Sequence, residues 1–122
     1  MILGVGLDLC DVARMEEALL RQGFLERYFT PKEQAYIHGR GKAAAQSMAG
    51  HFAAKEAGLK ALGCGITVPL TEISVQHDER GAPRFALEGK ALLAMRAMGG
   101  KSMRLSITHT DTVAAAVAIL EG

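Results

Sequence analysis

An α+β fold is predicted by three features of the chain. Strand-like apolar segments stand near its two ends, at residues 2–9 and 103–120. The longest helical pattern, residues 43–62, lies between them. The strands of the second half follow one another through short turns, which makes their pairing antiparallel.

Residues 2–9 are apolar with interspersed glycines and read as a buried strand. Asp11 is placed to cap a following helix in which Val12, Met15 and Leu19 recur at i, i+3 and i+7. Gly23 is the expected stop of that helix. Thr30-Pro31-Lys32-Glu33 starts a second one: threonine accepts from the Glu33 amide, proline suits the first helical position, and glutamate reaches back. That helix is expected to end near Gly39, with 39–42 as a loop.

Residues 43–62 are alanine-rich and closed by Gly63. Gly50 and Gly58 fall inside this third helix and cost about 1 kcal/mol each against alanine. Interior glycines imply close approach of another element or of a ligand. Past Pro69, residues 72–78 alternate as a strand with Ile73 and Val75 on one face. Residues 79–82 form a turn and 83–87 a returning strand. Residues 88–98 read as a helix ended by Gly99-Gly100. Residues 103–108 and 113–120 are strands joined tightly through 109–112.

A chain of 122 residues suits a single domain, 1–122, able to bury a core without staples. With aromatics at 5% and no tryptophan, that core must be built from Ala, Leu, Ile, Val and Met. A net charge of +1 argues against a nucleic-acid binder that works by broad phosphate neutralisation. Cys10 and Cys64 lack metal spacing and read as free thiols in a reducing compartment. No basic n-region and no apolar run of about 20 residues is visible, so a cytoplasmic protein without a membrane segment is expected.

Three constellations carry chemistry. Asp8 emerges from an apolar strand, where a carboxylate must be paired, cap a helix or bind a metal. Glu56 and Lys60 stand four apart on one helix face, either as a solvated ion pair or as a carboxylate and an ammonium for a metal-bound phosphate. His109 closes a strand among hydroxyls, in Ser106-Ile107-Thr108-His109-Thr110, either as a structural turn or as a ligand contact.

Gly6-Leu7-Asp8 with Asp11 and Arg14, Phe52-Ala53-Ala54-Lys55-Glu56 with Lys60, and Ser106 to Thr110 occur in one order over the whole chain. Together they resemble the holo-acyl-carrier-protein synthase family of 4'-phosphopantetheinyl transferases. The resemblance implies the 4'-phosphopantetheinyl transferase-like fold, an antiparallel sheet packed against a long helix. It implies an enzyme of lipid metabolism that moves 4'-phosphopantetheine from coenzyme A to a serine of apo-acyl carrier protein and releases 3',5'-ADP. Asp8 and Glu56 would hold Mg2+, and Lys60 would stabilise the departing phosphate. The carrier serine would attack the β-phosphorus, its proton going to a metal-organised water or to one of the carboxylates.

The resemblance further implies coenzyme A contacts at Lys55, Gly63, Gly65, Pro83, Ser106, His109 and Thr110. It implies homotrimers with sites between subunits. An acidic carrier would meet Arg14, Arg21 and Arg27, of which Arg14 and Arg21 are seven apart on one predicted helix face. Many relatives carry arginine where His51 stands, which implies coenzyme affinity that is weaker or more pH-dependent. Two other classes compete: a non-catalytic coenzyme A or carrier-protein binding module, and a magnesium-dependent pyrophosphate hydrolase. The three retained residues Asp8, Glu56 and Lys60 weigh against the first, and the lack of further acids beside Glu56 against the second.

Overall fold

The computed structural model describes residues 1–64 and 67–122. Strand β1 (Ile2–Asp11) leads into helices α1 (Val12–Leu20), α2 (Phe24–Tyr28), α3 (Pro31–His38) and α4 (Ala44–Leu62). A hairpin of β2 (Ile73–His77) and β3 (Pro83–Leu87), helix α5 (Gly89–Ala97) and strands β4 (Ser102–His109) and β5 (Val113–Glu121) follow. The fold is α+β, as expected, with every strand pair antiparallel. The strands form two sheets, one ordered β1-β5-β4 and the other the β2-β3 hairpin.

Helix α4 lies across the three-stranded sheet, and small residues on both sides set the approach. Ala49, Ala53, Ala57 and Ala61 recur every fourth position on α4, and Ala114, Ala116 and Ala118 alternate along β5; all are buried. On β1 the facing residues are glycines. A Cβ at Gly6 would lie 1.7 Å from the Ala57 carbonyl oxygen, and one at Gly4 2.1 Å from that of Ala61. Only glycine lets the helix come this close. Gly50 and Gly58 serve the same end, facing Ile107 and Ile73; these contacts are to neighbouring elements, not to a ligand.

The capping box forms as read: the Glu33 amide donates to Thr30 Oγ1 (3.2 Å) and the Thr30 amide to Glu33 Oε1 (2.9 Å). Gly63 closes α4 in the left-handed conformation, φ +69°. Three expectations are corrected. Asp11 occupies the N-cap of α1, but its side chain makes no cap hydrogen bond, because β1 continues through it. Helix α1 ends at Leu20, and Gly23 (φ +88°) instead opens α2, a five-residue helix too short to show a period. Residues 41 and 42 of the expected loop and residue 43 of the expected helix form a 3-10 turn.

The outer face of the large sheet is apolar along β1 and β5 and carries Arg104, Ser106 and Thr108 along β4. Val5, Leu7 and Leu9 of β1 are 58%, 63% and 66% exposed. Among the described residues no helix is long and apolar enough to cross a membrane.

Candidate functional site

Gly4, Gly6, Asp8 and Cys10 share one face of β1 by the two-residue period of a strand. The glycines bring α4 against β1, so Asp8 comes within reach of the last turns of the helix. Lys60 Nζ donates to Asp8 Oδ1 at 2.9 Å and to the Leu7 carbonyl at 3.0 Å. Asp8 is 20% exposed and Lys60 55%. The Glu56–Lys60 pair suggested by their spacing is therefore not made; Lys60 crosses to the strand instead. Asp8 lies within β1 rather than at its end.

Among the described residues Glu56 has no ion-pair or hydrogen-bond partner for its side chain. Partial burial pushes its carboxyl above the ordinary range, and the Asp8 carboxylate pushes further; Lys60 and Arg14 oppose. Two carboxylates thus lie near one another, with the Lys60 ammonium held against Asp8 at the solvent edge. The arrangement favours a divalent cation, which would relieve their repulsion. No group of three or more His, Cys, Asp or Glu capable of holding a metal occurs among the described residues. Two carboxylates suit Mg2+, which completes its shell with water and phosphate oxygens, and do not suit a closed zinc site.

Beside Glu56 runs a groove lined by Arg14, Phe24, Arg27, Tyr28 and Phe52. Arg14 lies over the Phe52 ring (5.2 Å), Arg21 over Phe24 (6.0 Å) and Arg27 over Tyr28 (5.5 Å). Stacking on rings holds the guanidinium groups at the surface with their donors outward. Arg21 is just past the end of α1 in extended backbone, so the shared helix face expected for Arg14 and Arg21 does not exist. It is α2, folding back, that gathers the three arginines.

A second group lies apart. Pro83 and His109 line a cavity with Tyr36, Arg40, His51 and His77, and it shares no lining residue with the Glu56 groove. Ser106 points outward from β4 and is exposed. Thr110 Oγ1 accepts from the amides of Thr112 (3.3 Å) and Val113 (3.1 Å), closing the β4–β5 turn.

The family model of the 4'-phosphopantetheinyl transferase superfamily matches residues 4–117. The chain belongs to that superfamily. It is 46% identical over 123 residues to the holo-[acyl-carrier-protein] synthase of Treponema denticola, with all of both chains covered. The crystal structure of the Neisseria meningitidis holo-[acyl-carrier-protein] synthase superposes with a TM-score of 0.88 at 31% identity over 100% of both chains. That of the Helicobacter pylori enzyme in complex with coenzyme A superposes at 0.83, with 31% identity over 96% of this chain and 99% of that one. The chain is accordingly a phosphopantetheinyl transferase, and the fold expected from the resemblance is the one observed.

Within this transferase the residues singled out by sequence fall into distinct places. Lys55 is a correction. Its side chain is 0% exposed and its three ammonium hydrogens are engaged, by Glu33 Oε1 (2.5 Å) and the carbonyls of Tyr28 (2.9 Å) and Leu70 (3.0 Å). A buried ammonium with no free donor cannot also bind a phosphate. Burial pulls Lys55 below the ordinary lysine range, and the Glu33 carboxylate counteracts. Gly63 is exposed, with open space around its Cα. Gly65 lies outside the described residues. Sequence reasoning saw Glu33 only as a capping residue and missed its pairing with Lys55, and it missed His77 altogether. Glu33 is 22 residues from Lys55 and His77 is 26 from His51, and no local pattern marks either partner.

Proposed function

We propose that the chain transfers 4'-phosphopantetheine from coenzyme A to a serine of apo-acyl carrier protein, releasing 3',5'-ADP, with Mg2+ as cofactor. The observation that carries this reading is the Asp8–Lys60 contact beside the unpaired Glu56. It is a two-carboxylate site with an ammonium in reach, on a chain whose relatives bear the synthase name. Asp8 and Glu56 would hold the metal, which when bound supplies charge neutralisation on the pyrophosphate.

Lys60 is more than half exposed and anchored only through its tip, so it can turn from Asp8 toward the departing phosphate. Glu56, whose side chain has no partner among the described residues, would accept the proton of the carrier serine directly or through a metal-organised water. Arg14, Arg21 and Arg27 offer a cationic rim for an acidic carrier, next to Glu56. Pro83, Ser106, His109 and Thr110 lie outside the Glu56 groove, and we place them at the coenzyme of a neighbouring copy. The apolar outer face at Val5, Leu7 and Leu9 supports self-association, and the family resemblance implies three copies. A cytoplasmic location, among carriers and coenzyme A, agrees with this role.

The test is the intact mass of an apo carrier after incubation with coenzyme A and Mg2+. A gain of one phosphopantetheine that needs Mg2+, and is lost in Asp8→Ala and Glu56→Ala, is expected. No gain with several carriers, while coenzyme A still binds, would leave a binding module. Release of 3',5'-ADP without any carrier would point to a hydrolase.

A further inference from the structure

The cavity between α3, α4, the hairpin and β4 holds three of the chain's four histidines, His51, His77 and His109, with Arg40. No carboxylate lines it. His51 is 2% exposed, and its Nδ1 is buried without a hydrogen-bond partner. Its other nitrogen, Nε2, faces Nε2 of His77 at 3.5 Å. Tyr36 stacks on His77 with ring centroids 4.1 Å apart and planes at 14°. Arg40 lies over the other reach of the tyrosine ring, 5.7 Å from its centroid.

Two imidazole nitrogens at this separation share one proton at most, because two facing N–H groups would repel. The neutral pair already holds that proton, one ring donating its Nε2–H to the other, so a further proton must enter at Nδ1 of a ring. Every charged group near it disfavours that step except Asp78. Arg40 acts on His77, and Lys55 and His77 act on His51. The Asp78 carboxylate favours a charged His77, but it is committed to the amides of Arg80 and Ala82 and to Arg84. Burial weighs in the same sense as the cations, pushing His51 down to about 3 and His77 below the ordinary range. With no opposite charge beside it, the pair is therefore held neutral. The face of Tyr36 is placed to stabilise an imidazolium.

We propose that the His51–His77 pair takes up one proton from solvent when a phosphate-type anion enters this cavity, so that the pocket becomes fully cationic only with its ligand in place. The anion supplies the opposite charge that outweighs Arg40 and Lys55, and the added proton enters at Nδ1 of His77, whose Nε2–H stays donated to His51 Nε2. Binding is then linked to pH, tightening as pH falls through the range in which the loaded pair carries the proton and the free pair does not. This rests on the coenzyme A reading only for the identity of the anion.

Titration calorimetry of the full chain with 3',5'-ADP, in buffers of low and high ionisation enthalpy between about pH 5.5 and 8, counts the protons exchanged. The phosphate monoesters have a proton equilibrium of their own near pH 6, so the informative quantity is the difference between proteins. Wild type is expected to take up more protons than His77→Gln and to gain affinity by up to about tenfold per pH unit relative to it. His51→Arg, which carries a fixed charge, should bind without the excess uptake. Equal proton counts in wild type and His77→Gln, with binding intact, would overturn the proton coupling alone. Absence of any binding by folded wild type across the range would remove the coenzyme reading and this inference with it.

Discussion

Replacing Lys55 by methionine separates a structural lysine from a ligand-binding one. Lys55 joins Glu33 of α3 and the carbonyls of Tyr28 and Leu70, and its ammonium sits 4.8 Å from the centre of the Phe29 ring. Methionine fills the volume but leaves Glu33 a buried, uncompensated carboxylate. Breaking a buried pair in this way costs about 3–5 kcal/mol. Glu33 keeps two donors, the amides of Thr30 and Val75 at 2.9 Å, which places the loss toward the lower end. A loss of about 3 kcal/mol in a domain of this size lowers Tm by roughly 10–15 °C. Thermal and urea denaturation at fixed protein concentration would measure it. Adding Glu33→Gln removes the stranded charge and should recover part of the stability. Coenzyme A affinity per folded molecule should stay within about twofold of wild type, less than half a kcal/mol. A Lys55→Met variant that melts within a few degrees of wild type yet loses coenzyme affinity would refute the reasoning.

Other perturbations probe the site and the packing that builds it. Burial and Asp8 raise the Glu56 carboxyl, so its neutral form suits the fold. That contribution is full below the unfolded pKa and is lost as pH rises through the folded one. Glu56→Gln should therefore raise the Tm of the metal-free protein at neutral pH, with the gain fading as the pH approaches 4, while transfer falls by about two orders of magnitude or more. Melting curves across pH and the carrier mass assay check the two halves. Gly6→Ala puts a methyl into the Ala57 carbonyl and must push α4 off the sheet, at a cost of about 3 kcal/mol or more. Denaturation midpoints should report it, and loss of the Asp8–Lys60 contact should carry activity down with it. Reversing Arg14 and Arg21 to glutamate should lower the carrier on-rate and flatten its salt dependence without altering coenzyme affinity, measured by stopped-flow at several ionic strengths.

Features encoded by contiguous residues were legible in the sequence. The Thr30–Glu33 capping box needs only four neighbours, the 79–82 turn fixes its hairpin, and the alanine run and Gly63 bound α4. Features that depend on what packs against an element were not. Helix α4 is buried on nearly every side except at Glu56 and Lys60, so it has no polar face on which Lys55 and Lys60 could be told apart. Only the position of α3 makes Lys55 a core residue. The glycines of β1 read along the chain only as gaps in an apolar strand, and their role appears once α4 lies on them. The resemblance picked out Pro83 and His109, but not that His51 and His77 share their cavity, since those rings meet through the fold rather than along the chain.

The proposed division of the site between copies is tested most directly by complementation. Glu56→Ala and His109→Ala variants, each inactive alone, would be co-expressed and the mixed oligomer assayed for phosphopantetheine transfer by carrier mass. In a ring where each site takes Glu56 from one chain and His109 from the next, random mixing restores about a quarter of the sites. Recovery near that level is the predicted result. Mixed oligomers as inactive as either parent would contradict the account, because both residues would then have to act within a single chain.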